Sequence, residues 1–280
     1  VAYGFLLVFV VTCLVLNQQN AFATEVNIEL SNVPLSQRDK ISAWVNHGVT
    51  AVEAELGGIP RGEIAVELVI KPNASEPVPF AQVIRGPINT IKLQVNTAWP
   101  LQDFVDDWTL YHELSHLYIP YLDYPSFWLN EGFATYMQNV VMLGGQVIDK
   151  NVFIDKMQAG FERGRINTVT EPGKLSMVSD DMWRKRAYMR VYWSGAAFFS
   201  ELDAELIKQQ RSLTQIMAQY RLCCLTAKDS GEALMRQLDQ ITGVNIFSSM
   251  FIRYADRTDF PQLPKSTLAI IAAHYSQKNP

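Results

Sequence analysis

The chain has 280 residues, of which 48% are hydrophobic and 19% are charged, and its formal net charge is −4. This composition is typical of a globular protein, and the length suffices for one large domain or for two lobes around a cleft. The sequence shows no basic surface of the kind that nucleic acids or anionic membranes attract. We therefore expect no nucleic-acid partner.

Residues 1–23 have the pattern of a secretory signal peptide. An uncharged apolar run, Phe5–Leu16, precedes a polar break and the triplet Ala21-Phe22-Ala23, after which cleavage is expected. No lysine or arginine precedes the run, which a truncated start explains; the alternative is a buried or membrane-anchoring helix. The run is short for a membrane span. We expect an exported bacterial protein, periplasmic or secreted, with no stable membrane association after the signal is cleaved.

Only two cysteines, Cys223 and Cys224, remain once the signal peptide is removed. Adjacent cysteines do not readily form an ordinary disulfide with each other. The sequence therefore predicts a protein that does not rely on disulfides, which fits bacterial export better than a disulfide-rich extracellular domain of an animal.

Residues 24–104 are predicted to form an α/β lobe. Alternating apolar residues indicate strands, and an apolar stripe at helical spacing follows Ser36, a predicted helix cap. The predicted strands are Glu25–Leu30, Glu63–Ile70, Ala81–Arg85 and Thr90–Val95, and the helix runs to Leu56. We expect a small, mostly antiparallel sheet with one helix packed on it. If Thr90–Val95 is the edge strand facing a cleft, a peptide can pair with it; the alternative is an edge covered by a loop.

Residues 105–280 are predicted to be almost entirely helical, so the fold class is α+β, a small sheet with one helix followed by an all-helical lobe. The predicted helices are Asp106–Ile119, Ser126–Met142, Asn151–Arg163, Ser179–Gln209 (one helix or two), Ser212–Leu222, Gly231–Ile241, Asn245–Tyr254 and Ser266–Tyr275.

The segment His112-Glu113-Leu114-Ser115-His116 has the residue types and spacing of a zinc site. Two imidazoles at positions i and i+4 lie on one helix face, where they can bind a single Zn²⁺. A turn after Pro120 reverses the chain, and the next helix returns Glu131 as a third ligand. Two histidines and one glutamate leave one coordination position for water, which is the arrangement of catalytic rather than structural zinc sites.

The intervening Glu113 is the candidate general base. Bound Zn²⁺ lowers the pKa of water and polarises a carbonyl group, and a carboxylate beside the metal can accept the proton that the water loses. The alternatives are that His112 and His116 are ordinary buried helix residues and that Glu131 is a solvated carboxylate. His47 and His274 stand alone in the sequence and are interpreted as structural or surface residues.

These residues resemble the gluzincin metallopeptidases. The segment Trp128-Leu129-Asn130-Glu131-Gly132-Phe133-Ala134 is similar to the one that carries the third ligand in the aminopeptidase N and glycyl-aminopeptidase families, and Tyr192-Trp193-Ser194-Gly195 is similar to their later Tyr-x-x-Gly segment. The resemblance implies a zincin-like fold. It also implies that the Tyr192 hydroxyl donates to the oxyanion of the tetrahedral intermediate; the alternative is a packing aromatic.

The chain departs from these families at three places. The 14 residues between His116 and Glu131 make a shorter connection than is usual there. A Gly-x-Met-Glu-Asn segment, which captures the free amine of the substrate in the aminopeptidase N family, is absent before His112. Thr135 stands where thermolysin-like gluzincins have an aspartate.

The sequence as a whole predicts an exported zinc-dependent metallopeptidase that acts on peptides or proteins. Its zinc is expected to be held by His112, His116 and Glu131, while Glu113 activates water and Tyr192 stabilises the oxyanion. Two alternatives remain open: a catalytically silent zinc-binding module that binds peptides, and a zinc hydrolase of a non-peptide substrate such as a lipid epoxide. Asp203 is a candidate partner of a ligand. The cluster Arg184, Lys185, Arg186 and Arg190 is interpreted as a solvated face rather than a site for a substrate carboxylate.

Overall fold

A computed structural model describes residues 24–277 of the chain. The predicted signal peptide lies outside the described residues. Within them, a four-stranded sheet precedes a helical lobe, which confirms the α+β fold class. No helix in residues 24–277 combines the length and the apolar character needed to cross a membrane.

The sheet has the order β1-β2-β4-β3. Its strands are β1 (Glu25–Glu29), β2 (Glu63–Ile70), β3 (Phe80–Ile84) and β4 (Asn89–Val95). β1 pairs in parallel with β2, and β2 pairs in parallel with β4, so only the β3–β4 pair is antiparallel. The prediction of a mostly antiparallel sheet is wrong because helix α1 (Arg38–Leu56) forms a crossover between β1 and β2, which returns the chain in the same direction.

The edge strand beside the helical lobe is β3, and β4 lies inside the sheet. The condition considered for the Thr90–Val95 strand, that it forms the edge facing a cleft, is therefore not met, and the edge is the neighbouring strand. β2 and β4 bury alternate residues, such as Val66 and Leu93, so one face of the sheet joins the core that also contains Trp44 of α1.

Helix α4 (Phe127–Gly144) is the centre of the helical lobe, since every one of its residues is buried. It packs against α3 (Thr109–Ser115), α5 (Lys150–Thr170) and α8 (Tyr188–Lys208). The remaining helices are α1, α2 (Leu101–Asp106), α6 (Leu175–Asp180), α7 (Met182–Lys185), α9 (Leu213–Cys223), α10 (Gly231–Thr242), α11 (Ile246–Ala255) and α12 (Lys265–Tyr275). A short pair of parallel strands, β5 (Tyr121–Leu122) and β6 (Lys228–Asp229), joins the two halves of this lobe.

Asp203 of α8 holds three elements of the lobe together. Its buried carboxylate accepts hydrogen bonds from the hydroxyls of Tyr136 (2.6 Å) and Tyr275 (2.7 Å) and from the backbone N–H of Leu213 (2.7 Å). These contacts lie on α4, α12 and the start of α9, so Asp203 is a structural residue and does not orient a metal ligand.

Cys223 and Cys224 form a disulfide with each other at the end of α9. The prediction that the protein does without disulfides is wrong at this position. Cys223 is the last residue of α9, and Cys224 has a non-helical backbone with φ of −136° and ψ of −8°. The two side chains are therefore not held at the spacing that a helix would impose.

Candidate metal centre

The two histidines lie at the junction of α3 and a 3₁₀ turn. The carboxylate of Asp107 accepts the backbone N–H of Thr109 (2.8 Å) where α3 begins, and the chain tightens into a 3₁₀ turn at His116. The Nε2 atoms of His112 and His116 are 3.2 Å apart. The predicted helix Asp106–Ile119 is thus shorter and tighter than expected, yet both imidazoles face one space.

Glu131 of α4 completes the cluster. Its Oε2 atom lies 3.4 Å from Nε2 of His112 and 3.7 Å from Nε2 of His116. A tetrahedral zinc ion with bonds of about 2.0 Å holds its ligand atoms about 3.3 Å from one another. The two nitrogens and one oxygen are the donor types that zinc prefers, and their separations match that tetrahedron closely.

Asn130 fixes the short connection between the two ligand helices. Its side-chain amide donates to the backbone oxygen of Pro120 (2.9 Å) and accepts the backbone N–H of Leu122 (2.9 Å). Ser126 occupies the cap position of α4, as predicted, although its side chain makes no capping hydrogen bond. The 14-residue connection therefore returns Glu131 to the histidines.

Gln138 orients the first histidine. The Nδ1–H of His112 donates to Oε1 of Gln138 (2.8 Å), so the Nε2 lone pair faces the cluster. Because Gln138 follows Glu131 by seven residues, two turns of α4 place both on one face. The guanidinium of Arg85 donates to the backbone oxygens of His116 (2.6 Å) and Ile119 (3.1 Å), which fixes the end of the histidine segment.

Glu113 lies beside the three ligand residues and is held by the sheet. The backbone N–H of Val83 on β3 donates to its carboxylate. Burial raises the pKa of Glu113 to about 7, His112 opposes that rise, and Glu131 adds to it. This carboxylate can thus both accept and release a proton near neutral pH, as a general base requires.

The ligand side chains differ in protonation. Burial, His112 and Arg85 together hold the pKa of His116 at about 3, against the attraction of Glu131, so this imidazole is neutral and ready to bind a cation. Burial also lowers the pKa of His112, but hydrogen bonding to Glu131 and the charges of Glu113 and Glu131 outweigh burial and leave it above its ordinary value. The carboxylates of Glu131 and Glu113 thus favour positive charge at the place where the three ligand atoms converge.

Tyr192 of α8 lies against the same cluster, beside His112. Its ring stacks on that of His112 with centroids 6.2 Å apart, and its hydroxyl donates to the Glu131 carboxylate. Burial, Glu131 and Glu113 raise the pKa of this hydroxyl well above its usual range, so it stays a proton donor. Tyr192 therefore contacts the site through its polar atom and is not merely a packing residue.

Two glycines bring α4 and α8 together at this point. A Cβ atom on Gly132 would lie 2.3 Å from Cα of Gly195, and one on Gly195 would lie 2.0 Å from the backbone oxygen of Trp128. Neither helix can carry a side chain at the crossing. Because Glu131 precedes one glycine and Tyr192 lies one turn before the other, this close crossing sets the distance between them.

The structure leaves other predicted candidates outside the cluster. His47 packs edge-on to Tyr111, with ring centroids 6.4 Å apart, and His274 lies on α12. Arg190 is buried and donates to the backbone oxygens of Glu171 and Gly173, so it belongs neither to a solvated face nor to a substrate site.

Three residues that contact the candidate site, Gln138, Val83 and Arg85, were not predicted from the sequence. Only Gln138 carries a sequence signal, its spacing of seven residues from Glu131 on one helix. The other two act through contacts between the sheet and the histidine segment, which local patterns do not show.

No protein-family model matches the chain, and no curated protein matches it. Solved structures do match it. A mutant M1 zinc metallopeptidase from Deinococcus radiodurans, bound to a Tyr-Ser-Ala substrate, is similar with a TM-score of 0.55 and 16% identity, over 78% of this chain and 44% of that one. An aminopeptidase N family protein from Idiomarina loihiensis is similar with a TM-score of 0.58 and 12% identity, over 88% and 45%. The chain spans less than half the length of these structures.

A third similar structure, an M1 zinc metallopeptidase from Deinococcus radiodurans, has a TM-score of 0.53 and 17% identity, over 83% of this chain and 46% of that one. At such identities the likeness concerns the fold. The structural neighbours are thus M1 zinc metallopeptidases and an aminopeptidase N family protein, which agrees with the families that the sequence segments resemble.

Proposed function

We propose that this protein is a zinc-dependent peptidase whose metal is held by His112, His116 and Glu131. The observation that carries the proposal is the convergence of three ligand atoms, spaced as a tetrahedral ion requires, beside a fourth residue, Glu113, that is a carboxylate but not a ligand. A purely structural zinc site would need a fourth protein ligand, and it would have no use for a free carboxylate beside the metal.

In the proposed hydrolysis of a peptide bond, each residue of the site has a separate role. A zinc ion bound there would polarise the scissile carbonyl and acidify a water molecule. Glu113 accepts the proton of the attacking water and delivers it to the nitrogen of the departing amine, since its pKa lies near 7. The Tyr192 hydroxyl, already aimed at the cluster through Glu131, donates to the oxygen that gains negative charge.

The edge strand β3 supports a peptide as the substrate. β3 presents one free edge, with β4 on its other side, and its Val83 N–H binds Glu113. An extended peptide that pairs with this edge would lie along the metal cluster with its backbone fixed by main-chain hydrogen bonds. Export, as the pattern of residues 1–23 indicates, remains part of the proposal.

The test combines bound metal with cleavage in one sample. Purified protein is analysed for zinc per chain, and its action on a mixed peptide library is followed by mass spectrometry before and after chelation. We expect one zinc per chain and chelator-sensitive cleavage. Zinc without cleavage would favour a peptide-binding module or a hydrolase of another substrate, and the absence of zinc would overturn the proposal.

A further inference from the structure

A cavity of about 660 Å³ opens beside the metal cluster. Val83, which donates its backbone N–H to Glu113, lines one side of it, and Leu117, which follows His116 directly, lines another. Neither the three ligand residues nor Glu113 lines this cavity, so it adjoins the cluster through Val83 and Leu117 and extends away from it. Its size is sufficient for one or two amino-acid side chains.

The charged residues that line this cavity are all cationic. They are Arg61, Arg85, Arg221 and Lys228. No aspartate or glutamate lines the cavity, and none of the four cations forms an ion pair with a carboxylate in residues 24–277. The protein as a whole has a net charge of −4, so this concentration of positive charge is a local feature of the site.

The contacts of these cations leave their charge uncompensated. Arg61 donates to the backbone oxygen of Gly86 (2.8 Å), and Arg85 donates to those of His116 and Ile119. Backbone oxygens are neutral acceptors, so they satisfy donors without cancelling charge. The Nε–H of Arg221 is buried and has no hydrogen-bond partner. Because this atom is closed off from the cavity, Arg221 contributes its positive charge there rather than its Nε–H donor.

We propose that this cavity, termed the cationic cavity, binds a carboxylate of the peptide substrate and so makes the enzyme selective for acidic peptides. The proposal rests on the proposed peptidase function, since it names the substrate class of that site. The carboxylate comes either from an aspartate or glutamate side chain or from the carboxyl terminus of a short peptide. The same charges disfavour a free α-amine in this cavity, because like charges repel at short range.

The recognition uses contacts of two kinds. Arginine side chains present paired N–H donors that match the two oxygens of a carboxylate, whereas lysine adds charge without fixed geometry. Arg85 is held rigidly against the histidine segment, while Arg61 and Lys228 are exposed at the rim. The rim cations attract the acidic group, and the half-buried Arg85 holds it.

The test compares peptides that differ by one charge. A neutral peptide that the enzyme cleaves is resynthesised with glutamate at each position around the cut in turn, each beside a glutamine counterpart, and with the carboxyl terminus free or amidated. We expect kcat/KM to rise about tenfold for glutamate at one position, or for the free terminus, an effect typical of one or two partly desolvated ion pairs. Loss of the preference on amidation identifies the terminal carboxylate as the bound group, and loss on Glu-to-Gln exchange identifies a side chain.

The matched variants remove two positive charges each. Arg61→Gln with Lys228→Gln removes two exposed cations of the cationic cavity, and Lys71→Gln with Lys150→Gln removes two exposed cations elsewhere. The first pair is expected to lower the acidic preference to about twofold or less, and the second pair to leave the tenfold preference intact. Equal loss in both pairs would assign the preference to general charge and overturn the proposal.

Failure here is distinguishable from failure of the proposed function. Cleavage with equal rates for glutamate and glutamine peptides at every position, and for free and amidated termini, would overturn the cationic-cavity proposal alone. If no peptide is cleaved, the peptidase function falls, and the affinities of the same labelled peptides decide the question. A tenfold tighter binding of the acidic peptides would sustain the cavity, and equal affinities would overturn it.

Discussion

Glu113 and Glu131 are both buried beside the same histidines, but their contacts assign them different chemistry. Glu131 lies within 3.7 Å of both Nε2 atoms and accepts the Tyr192 hydroxyl, so its oxygen belongs to the ligand cluster. Glu113 is held instead by the Val83 N–H of the edge strand, and burial gives it a pKa of about 7. In the proposed mechanism these contacts separate a carboxylate that would bind the metal from one that would accept a proton.

Glu113→Gln is expected to retain zinc but to lose turnover by about 10²–10⁴-fold, the usual contribution of a general base. Glutamine keeps the size of the side chain and can still accept the Val83 N–H, but it cannot take a proton. Zinc content and kcat measured on the same preparation test this. His116→Ala serves as the comparison, since it should lose both metal and activity; a Glu113→Gln protein with wild-type kcat would contradict the base assignment.

Gln138→Ala is expected to weaken zinc binding by about 10–100-fold, because the imidazole of His112 loses the acceptor that orients it. The affinity is measured by competition with a chelator of known strength. Gln219→Ala, which changes an exposed glutamine of α9, is the control and should bind zinc normally. Unchanged affinity in both variants would show that Gln138 does not tune the metal site.

At the residue scale, the candidate residues that converge in the structure were easier to predict from the sequence than the residues that hold them in place. The spacing of His112 and His116 on one helix depends on local geometry, and Glu131 was recognisable from its segment. The hydrogen bonds of Val83 and Arg85 join segments that are distant along the chain, so no local sequence pattern predicts them. For the same reason Asp203 was a weak candidate, and only its tyrosine partners reveal its structural role.

At the element scale, the crossing of α4 and α8 is the contact that brings Tyr192 to the ligand cluster. Gly132 and Gly195 allow the two backbones to approach without side chains between them. Because α4 is buried along its whole length, this crossing packs the segment Trp128–Ala134 of α4 against the segment Tyr192–Gly195 of α8.

Gly195→Ala is expected to destabilise the fold by about 1–3 kcal/mol, the usual cost of overpacking, because its Cβ would lie 2.0 Å from the Trp128 oxygen. In an unconstrained helix the same exchange would stabilise by up to ~1 kcal/mol, so the sign of the change tests the crossing. Thermal and denaturant unfolding measure it, and kcat should fall as Tyr192 moves away from Glu131. Increased stability with full activity would contradict this account.

Local sequence patterns predicted the individual helices and strands better than they predicted how these elements are arranged. The alternation in β2 predicted its bounds, but the partners of each strand depend on crossovers, and α1 made two pairs parallel. The segment Ser179–Gln209, predicted as one helix or two, spans the end of α6, α7 and α8, and the left-handed conformation of Arg186 (φ 56°) separates α7 from α8. Helix α2 was missed because its six residues are too few for a helical period to show.

At the scale of the whole molecule, the candidate metal ligands come from two helices, α3 and α4, that are packed against different parts of the fold. His112 and His116 belong to the segment braced by the sheet through Val83 and Arg85, whereas Glu131 belongs to the buried centre of the helical lobe. An ion bound there would therefore link the two parts of the fold, and its binding free energy would add to the stability of the folded state.

Chelation of zinc is expected to lower the melting temperature by about 5–10 °C relative to protein with free zinc at a hundred times its dissociation constant. Readdition of zinc should restore it. Differential scanning calorimetry with and without chelator measures the shift. The His116→Ala variant is the control and should melt at one temperature in both conditions; an equal shift in that variant would mean that the stabilising ion binds elsewhere.

The glycine crossing also has a consequence for how such a chain changes over generations. Since each glycine faces the backbone of the other helix, a larger residue at either one cannot be accommodated by a smaller residue at its partner, which is already the smallest there is. Although Gly132 and Gly195 are 63 positions apart in the sequence, a substitution at one of them cannot be offset by a substitution at the other. A chain that keeps His112, His116 and Glu131 but carries a larger residue at either glycine could not hold the Tyr192 hydroxyl beside Glu131.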